Sequence, residues 1–251
     1  MKKILALTLL SVTLAAPSLF AAALTLTLEG GGGGFGPYTS GSGGEFTFGI
    51  SDPTLIASGY VSGAGGTKNQ VTTPVANSFQ TFCVETGETI SHNGVYTATL
   101  NDHTVLTGTY LNKGTAYLYS QFVTEGKFGT TLGLYNYGAN RTTTAGQLQN
   151  AIWAFMGQGG QTAANNALNP FFQAAVAAEG GTFALADATV AAGFLNVSIL
   201  NLVDSSGINH QDQLIYTPGP GNNNVPDGGM TVMLLGMSLT GLGFISRRIR
   251  R

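Results

Sequence analysis

Apolar and polar residues alternate in several short segments of the chain, which is the period expected of half-buried β-strands. The first segments with this alternation are Ala23–Glu29, Glu45–Ile50, Val71–Glu85 and Val95–Leu100. Residues 91–94 read Ser-His-Asn-Gly and predict a turn between the last two of them. The same period returns near the end, in Ser198–Val203 and Gln211–Tyr216. The pattern therefore predicts a β-rich domain.

In the middle of the chain the apolar period changes to that of a helix. Residues 114–127 place apolar side chains at helical spacings, and residues 144–156 do so more clearly, with Gly157 as a stop. A third helix is expected over residues 170–178, with Asn169 as its cap and proline at its first position. We find no internal repeat. The expected fold is α+β, a β-rich exported domain with a short helical middle section.

The first 23 residues combine a positive start, an apolar run and an end of small residues. Lys2 and Lys3 precede an apolar run from Ile4 to Ala16, and residues 21–23 are all alanine. This order is that of a secretory signal peptide, and its apolar part is too short to span a bilayer comfortably. A buried N-terminal helix is the alternative, although a core helix has no need of the two lysines. We predict a signal peptide over residues 1–23, removed near the end of the alanine run.

The C-terminus has an equally ordered pattern. A Pro-, Gly- and Asn-rich linker occupies residues 217–224, and an uncharged stretch follows over residues 230–246. As a helix this stretch would reach roughly 25 Å, slightly less than the ~30 Å hydrocarbon core, and arginine stems can make up the difference. The chain closes with Arg247, Arg248, Arg250 and Arg251. We expect a single transmembrane helix with its basic end in the cytoplasm; a buried C-terminal helix would carry a strangely basic surface.

A five-residue string stands between the linker and the apolar stretch: Val225, Pro226, Asp227, Gly228 and Gly229. With residues 225–251 around it, this string resembles the PEP-CTERM class of sorting signals, most closely the VPDSG-CTERM variant. In that class a membrane-embedded exosortase reads a Pro-acidic motif, an apolar helix and an Arg-rich end. Gly228 stands where the variant usually has serine. The resemblance implies a Gram-negative-type envelope, an exosortase-type partner and cleavage beside Pro226 and Asp227.

Composition and charge restrict what the domain between these ends can bind. Roughly 200 residues remain there, enough for one domain, which we place over residues 24–216. Six of the 10 basic residues are the two N-terminal lysines and the four terminal arginines. Between Lys3 and Arg247, four basic residues face the 12 acidic ones, 4 − 12 = −8. Such a stretch lacks the basic surface that nucleic acid requires. The 37 glycines and only 9% charged residues of the whole chain suit a cell-surface or matrix protein.

Cys83 is the only cysteine of the chain. Exported proteins usually pair their cysteines, so a single one suggests an intermolecular link or a deliberately free thiol. A cysteine hydrolase would need a histidine base, for which His92 and His103, the latter beside Asp102, are available. Three histidines give such combinations by chance, and we expect the protein not to be an enzyme. With His210 also distant in sequence, no metal set and no cofactor is expected.

Two strings of residues suggest a specific chemistry for this cysteine. Residues 82–85 read Phe-Cys-Val-Glu, and residues 147–153 read Gln-Leu-Gln-Asn-Ala-Ile-Trp. Over about residues 82–155 the chain resembles bacterial surface thioester domains, whose signature is an aromatic-Cys-aliphatic-acidic string followed by a T-Q-x-A-I-W-type helix. In that family the thiol and the glutamine side chain form an internal thioester with loss of ammonia. The resemblance implies Cys83 as the thiol and Gln149 as the acyl donor, while Leu148 stands where the family prefers threonine.

Two functions of the exported domain follow from these patterns. In the first, the protein is a covalent adhesin, in which an amine or hydroxyl of a surface partner attacks the acyl group of Gln149 and frees the Cys83 thiol. In the second, it is a non-reactive structural component of an extracellular polysaccharide matrix, because a single cysteine is often a small buried apolar residue and glutamine is ordinary on a helix. In both, the tail holds the chain in the cell envelope before it reaches the cell surface or the matrix.

Overall fold

The computed structural model describes residues 24–28, 38–40, 43–51, 78–91, 93–124, 134–135 and 140–217. The predicted signal peptide, the sorting motif at residues 225–229, the transmembrane helix and the four terminal arginines lie outside these ranges, as does His92. Within them, no helix is both long enough and apolar enough to cross a membrane.

An antiparallel sheet forms the framework of the described fold. It contains β1 (Leu24–Leu28), β2 (Tyr38–Ser40), β3 (Gly43–Ile50), β4 (Ser78–Thr81), β5 (Val95–Asn101), β6 (Val197–Val203) and β7 (Asn209–Tyr216). The strands lie in the order β2-β3-β1-β5-β6-β7, and β4 pairs with β3 outside this path. All of these pairings are antiparallel. Strands from the beginning and the end of the domain therefore share one sheet.

Strand β1 shows why the alternation was informative. Leu24, Leu26 and Leu28 are fully buried, whereas Thr25 between them is exposed. Because neighbouring strand residues point to opposite faces, the three leucines lie on the core side of the sheet. The predicted strands at residues 45–50, 95–100, 198–203 and 211–216 are also present, with small shifts at their ends.

The predicted strand over residues 71–85 is only partly present. Its residues 71–77 lie outside the described ranges, β4 occupies four residues, and residues 82–85 continue beside β7. The predicted turn forms, because the Gly94 N–H donates to the carbonyl of Ser91 at 2.9 Å. It does not join a β-hairpin, since β4 pairs with β3 while β5 pairs with β1 and β6. The turn therefore connects two strands that are not neighbours in the sheet.

Four helices lie within the described residues: α1 (Lys113–Val123), α2 (Arg141–Met156), α3 (Pro170–Ala178) and α4 (Phe183–Ala186). The first three follow the predicted order. Gly157 ends α2 in the left-handed conformation at φ 64°, as its position in the pattern predicted. The Asn169 side chain caps α3 by accepting from the Phe171 N–H at 3.0 Å. Helix α4 has only four residues, too few to show an apolar period, and was not predicted. The α+β prediction is confirmed.

Helix α2 connects the helical layer to the sheet. It packs against β2 and β3 on one side and against α1 and α3 on the other. Its side chains Leu148 and Ile152 are fully buried. Aromatic rings fill the space between the layers, with Phe82 and Phe122 in edge contact at 5.0 Å between centroids. Most of α2 is therefore inside the core, which explains why its apolar residues are not confined to one narrow stripe.

A buried ion pair fixes the first residue of α2 to β3. The guanidinium Nε of Arg141 donates to the Glu45 carboxylate at 3.0 Å, and a second guanidinium nitrogen contacts the other carboxylate oxygen. The Tyr135 hydroxyl donates to the same carboxylate. The two charged side chains are only 2% and 1% exposed. The opposite charges and the hydrogen bonds together compensate for the hydration that the two charged groups lose on burial.

Replacing Arg141 by alanine should destabilise the fold strongly. The change would leave the Glu45 carboxylate buried without its cation, which typically costs about 3–5 kcal/mol. Chemical denaturation of wild type and variant gives the difference in free energy of unfolding. The double variant Glu45→Gln with Arg141→Met removes both charges and should lose less than the single variant. A loss below about 1 kcal/mol in Arg141→Ala, the size typical of an exposed ion pair, would contradict this role.

Candidate functional site

Cys83 and Gln149, 66 residues apart in sequence, are in direct contact in the fold. The Cys83 thiol donates to Gln149 Oε1, with 3.3 Å between sulfur and oxygen. The Gln149 Nε2 donates in return to the backbone carbonyl of Cys83 at 2.7 Å. Both side chains are fully buried. The structure thus brings together the two residues to which the thioester resemblance pointed, with the sulfur next to the amide group.

The segment that carries Cys83 is held in place by strand β7. The Val84 N–H donates to the Asp212 carbonyl at 3.0 Å, and the Leu214 N–H donates to the Phe82 carbonyl at 3.1 Å. These two hydrogen bonds lie on either side of Cys83, whose backbone forms an isolated bridge with Gln213. The cysteine is therefore fixed by backbone pairing rather than carried on a free loop.

Two glycines at the start of β3 complete the contact with Gln149. The Gly44 N–H donates to Gln149 Oε1 at 3.0 Å, from a backbone with φ of 140° that favours glycine. A Cβ on Gly43 would come within 2.5 Å of the Trp153 ring and 2.9 Å of Gln149 Cγ. Only glycine allows the strand to approach helix α2 so closely.

The contribution of these two glycines was not predicted from the sequence. They follow strand β2, which lies at an edge of the sheet. The signal available in the sequence was a glycine pair directly before an alternating segment, a position that often marks a close backbone approach. It could not indicate which residue approaches.

Trp153 covers the contact from the side of the helix. It follows Gln149 by four residues, so the two side chains lie on the same face of α2, one turn apart. Only 7% of Trp153 is exposed, and its ring lies against Gly43. The structure places Gln149 fully inside, with Trp153 as part of its cover.

The surroundings keep the Cys83 thiol protonated. Burial raises the pKa of the thiol well above its usual range, and the nearby Glu85 carboxylate raises it further. The N–H groups of Cys83, Gly44 and Trp153 oppose this change but are outweighed. The pair at rest is therefore a neutral thiol against a neutral amide, a combination that needs no counter-charge in a dry site.

Glu85 and Asp212 bring buried carboxyl groups close to the same segment. Burial raises the pKa of Glu85 to about 8, with the neighbouring Glu88 and Asp212 adding to the rise. Burial likewise raises the pKa of Asp212 to about 6, although its carboxylate accepts from the Val105 N–H and the Asn201 amide, both at 2.8 Å. Sequence reasoning missed this group, because nothing local distinguishes a buried acidic residue from an exposed one.

The two histidines that the structure describes, His103 and His210, have other partners. A ring nitrogen of His103 lies 2.7 Å from the Asp102 carboxylate, and the His103 ring packs against Tyr110. The Nε2 atom of His210, a residue of strand β7, lies 3.1 Å from the Asp204 carboxylate. Over the described ranges, neither imidazole has a hydrogen bond to Cys83, and no three His, Cys, Asp or Glu side chains are grouped so that they could hold a metal ion.

Comparison with known proteins identifies the C-terminal tail. The VPDSG-CTERM motif matches residues 224–249, which include the Val225–Gly229 string and the apolar stretch. This chain is an exported protein with a C-terminal sorting signal. The signal implies association with the cell envelope and processing by an exosortase-type enzyme, and the prediction of a PEP-CTERM-type sorting signal is confirmed. No curated protein and no solved structure matches the chain.

The raised pKa of Glu85 predicts that the fold loses stability as pH rises. In the unfolded chain this carboxyl ionises near 4.5, whereas in the fold it does so near about 8. The folded protein therefore holds a proton that the unfolded chain releases, and this stabilisation is full below about 4.5 and lost as pH rises through about 8. Melting temperatures of the wild type, measured from about pH 5 to about pH 9, should fall, and Glu85→Gln should reduce the slope.

A matched control for this titration is Glu179→Gln, at the end of helix α3, which should keep the wild-type slope. Asp212 preserves part of the dependence at lower pH in the Glu85 variant, because its pKa is also raised. Equal slopes for wild type and Glu85→Gln would show that Glu85 does not carry the effect.

Proposed function

We propose that the exported domain is a non-enzymatic covalent adhesin that forms an internal thioester between Cys83 and Gln149. The observation that carries the proposal is the pair of hydrogen bonds that holds the sulfur against the Gln149 amide in the protein interior. In the forming step, the Cys83 sulfur attacks Gln149 Cδ and the C–N bond breaks. The thiol proton passes to the leaving nitrogen, which departs as ammonia. Gln149 Oε1 stays as the thioester carbonyl oxygen.

The neighbouring donors support this chemistry. The Gly44 N–H already points at Gln149 Oε1, the oxygen that becomes negative when sulfur adds to the amide carbon. A backbone N–H aimed at such an oxygen stabilises the charge without reorganisation. Since Gly44 belongs to a paired strand, its direction is fixed before the reaction begins.

Burial supports the lifetime of the product. A thioester hydrolyses in water, so it needs a dry site until its partner arrives. Cys83 and Gln149 are both fully buried, and Trp153 covers them from the helix side. The same cover has to open, or leave a narrow path, for an amine-bearing or hydroxyl-bearing partner.

Attachment to a partner would use the acyl group once. A partner amine or hydroxyl attacks Gln149 Cδ, a new amide or ester bond forms, and the C–S bond breaks. The proton of the nucleophile ends on Cys83, which returns to a thiol. Because each domain reacts once and stays bonded to its partner, this function is adhesion rather than catalysis.

Cys83→Ala and Gln149→Ala should both abolish reaction with methylamine. The wild-type chain should weigh one ammonia less than its sequence requires. Reaction with methylamine should add the mass of one methylamine to it, so that the adduct weighs one CH₂ group more than the sequence requires. Intact-mass measurement under non-reducing, mildly acidic conditions tests both statements. The wild type is compared with Cys83→Ala, because any mass lost by processing of the chain ends is the same in both. Gln147→Ala, two residues earlier on the same helix, is the matched control and should behave as wild type.

Adduct formation that survives in either Cys83→Ala or Gln149→Ala would eliminate the thioester. A wild-type mass that equals the sequence, with Cys83 alkylated only after unfolding, would have the same meaning. In that case the pair is a structural contact.

The second candidate function is a non-reactive structural component of an extracellular polysaccharide matrix. One observation favours it: the thiol donates to the amide oxygen and the amide nitrogen donates to the Cys83 backbone carbonyl, so both side chains are satisfied as in an inert buried pair. The low content of charged residues, 9% of the chain, fits such a surface. Retention on matrix polysaccharide by Cys83→Ala and Gln149→Ala alike would favour this function, whereas free elution of the wild type would count against it.

The sorting tail leads to a separate test of processing. Replacing Pro226 and Asp227 together by alanine should prevent recognition by the exosortase-type enzyme, so the unprocessed chain should accumulate in the membrane fraction. Immunoblots of cell fractions measure the ratio of long to short forms. Gly228→Ser introduces the residue that is usual in the variant motif and should be processed at least as well as the wild type. Equal processing of the double alanine variant would show that another part of the chain is read.

A further inference from the structure

The indole N–H of Trp153 is a buried donor that lacks an acceptor. Its Nε1 has no access to solvent, and within the described part of the chain no atom accepts a hydrogen bond from it. A buried N–H without an acceptor costs free energy, because it has lost its hydrogen bond to water. Such a donor can be retained where it stabilises a transition state, whose charges differ from those of the resting structure.

The position of the ring indicates what that state is. Ring carbons Cζ2 and Cη2 of Trp153, on the Nε1 edge of the indole, lie 2.5 Å from the point where a Gly43 Cβ would stand. Gln149 Cγ lies 2.9 Å from the same point. The donor edge of the ring is therefore beside the side chain that accepts from the Cys83 thiol.

The indole N–H, although it makes no hydrogen bond to the described residues in the resting structure, favours the charged form of the Cys83 sulfur. Burial is the largest influence on the Cys83 thiol and raises its pKa, while the Trp153 N–H works in the opposite direction, together with two backbone N–H groups. A donor that favours the thiolate acts on the sulfur itself.

We propose that the Trp153 indole N–H stabilises the Cys83 sulfur as it leaves the thioester, and thereby sets the rate at which an amine opens the bond. This inference rests on the proposed thioester function and adds a third residue that sets the rate of its single reaction.

The role follows from how charge moves during opening. As the amine nitrogen bonds to Gln149 Cδ, the C–S bond breaks and its electron pair goes to the sulfur. The sulfur is neutral in the thioester and becomes negative towards the transition state, so an N–H aimed at it binds the transition state more strongly than the ground state. Gly44 serves the carbonyl oxygen and Trp153 serves the sulfur, one donor for each atom that gains charge.

The composition of the chain allows a clean test, because Trp153 is its only tryptophan. A tryptophan-requiring host can therefore replace this one side chain in the full-length protein. Benzothienylalanine keeps the two-ring shape and places sulfur where the N–H stands. We expect the substituted chain still to lose ammonia. The rate at which methylamine opens its thioester should fall by about 10-fold to 100-fold. This fall is somewhat smaller than the one caused by removing an oxyanion donor, because sulfur is the weaker acceptor.

A second replacement strengthens the donor instead of removing it. Ring-fluorinated tryptophan has a more acidic N–H and nearly the same shape, so it should open faster with methylamine while its rate of unfolding is unchanged. If the indole only shields the bond, the thioester should open with methylamine at the same rate in both analogues. If an analogue disturbs the packing of a purely shielding indole, hydrolysis and aminolysis should both become faster. Intact mass against time measures aminolysis and hydrolysis in the same sample.

The outcomes separate this inference from the proposed function. Loss of ammonia in every chain, with aminolysis rates that agree within about twofold, would overturn the role of Trp153 and leave the thioester standing. A rate that falls with benzothienylalanine but does not rise with fluorinated tryptophan would also overturn it. Absence of ammonia loss in the unsubstituted chain would overturn the thioester and this inference together.

Discussion

The close approach of helix α2 to the start of strand β3 is the contact on which the rest of the described structure depends. Two attachments maintain it: Arg141 with Glu45 at the beginning of the helix, and Gln149 with Gly44 further along. The two helical residues are eight positions apart, so the attachments are about 12 Å apart along the helix axis. Gly43, without a Cβ, lets the strand lie directly against the helix beside Gln149 and Trp153.

This contact also determines the chemistry of the interior. A helix held so near the sheet excludes water, so each polar group there must find a partner or change its protonation state. Cys83 and Gln149 are neutral side chains that hydrogen-bond to each other, and Glu85 stays protonated because its pKa is raised. A dry site strengthens every hydrogen bond inside it, which suits both a protected thioester and an inert structural contact. The geometry alone is compatible with either, and the mass of the protein is what separates them.

Sorting and domain chemistry are carried by separate parts of the chain. The VPDSG-CTERM match at residues 224–249 lies beyond the last described strand, whereas Cys83 and Gln149 lie inside the domain. A covalent or structural surface role fits this arrangement, because the tail brings the domain to the envelope and the domain then acts there. Nothing in the domain has to change for the tail to be processed.

The sequence by itself determined the features that depend on neighbours along the chain. The alternation in residues 24–28 predicted β1, and Asn169 with Pro170 predicted the start of α3, because strand periodicity and helix capping are local. The tail was recognisable for the same reason, since its motif, apolar stretch and arginines follow one another. Two short strings were sufficient to suggest Cys83 and Gln149.

Only the tertiary structure decided which of these elements meet. The Cys83–Gln149, Arg141–Glu45 and Gly44–Gln149 contacts span 66, 96 and 105 residues, and β4 pairs with β3 rather than with β5 across the turn. Burial of Glu85 and the position of the Trp153 ring depend on the same long-range packing. Periodicity states which face of an element is apolar, but it does not state which other face will cover it. That choice belongs to the whole fold, and in this protein it brings the thiol, the amide and their N–H donors together.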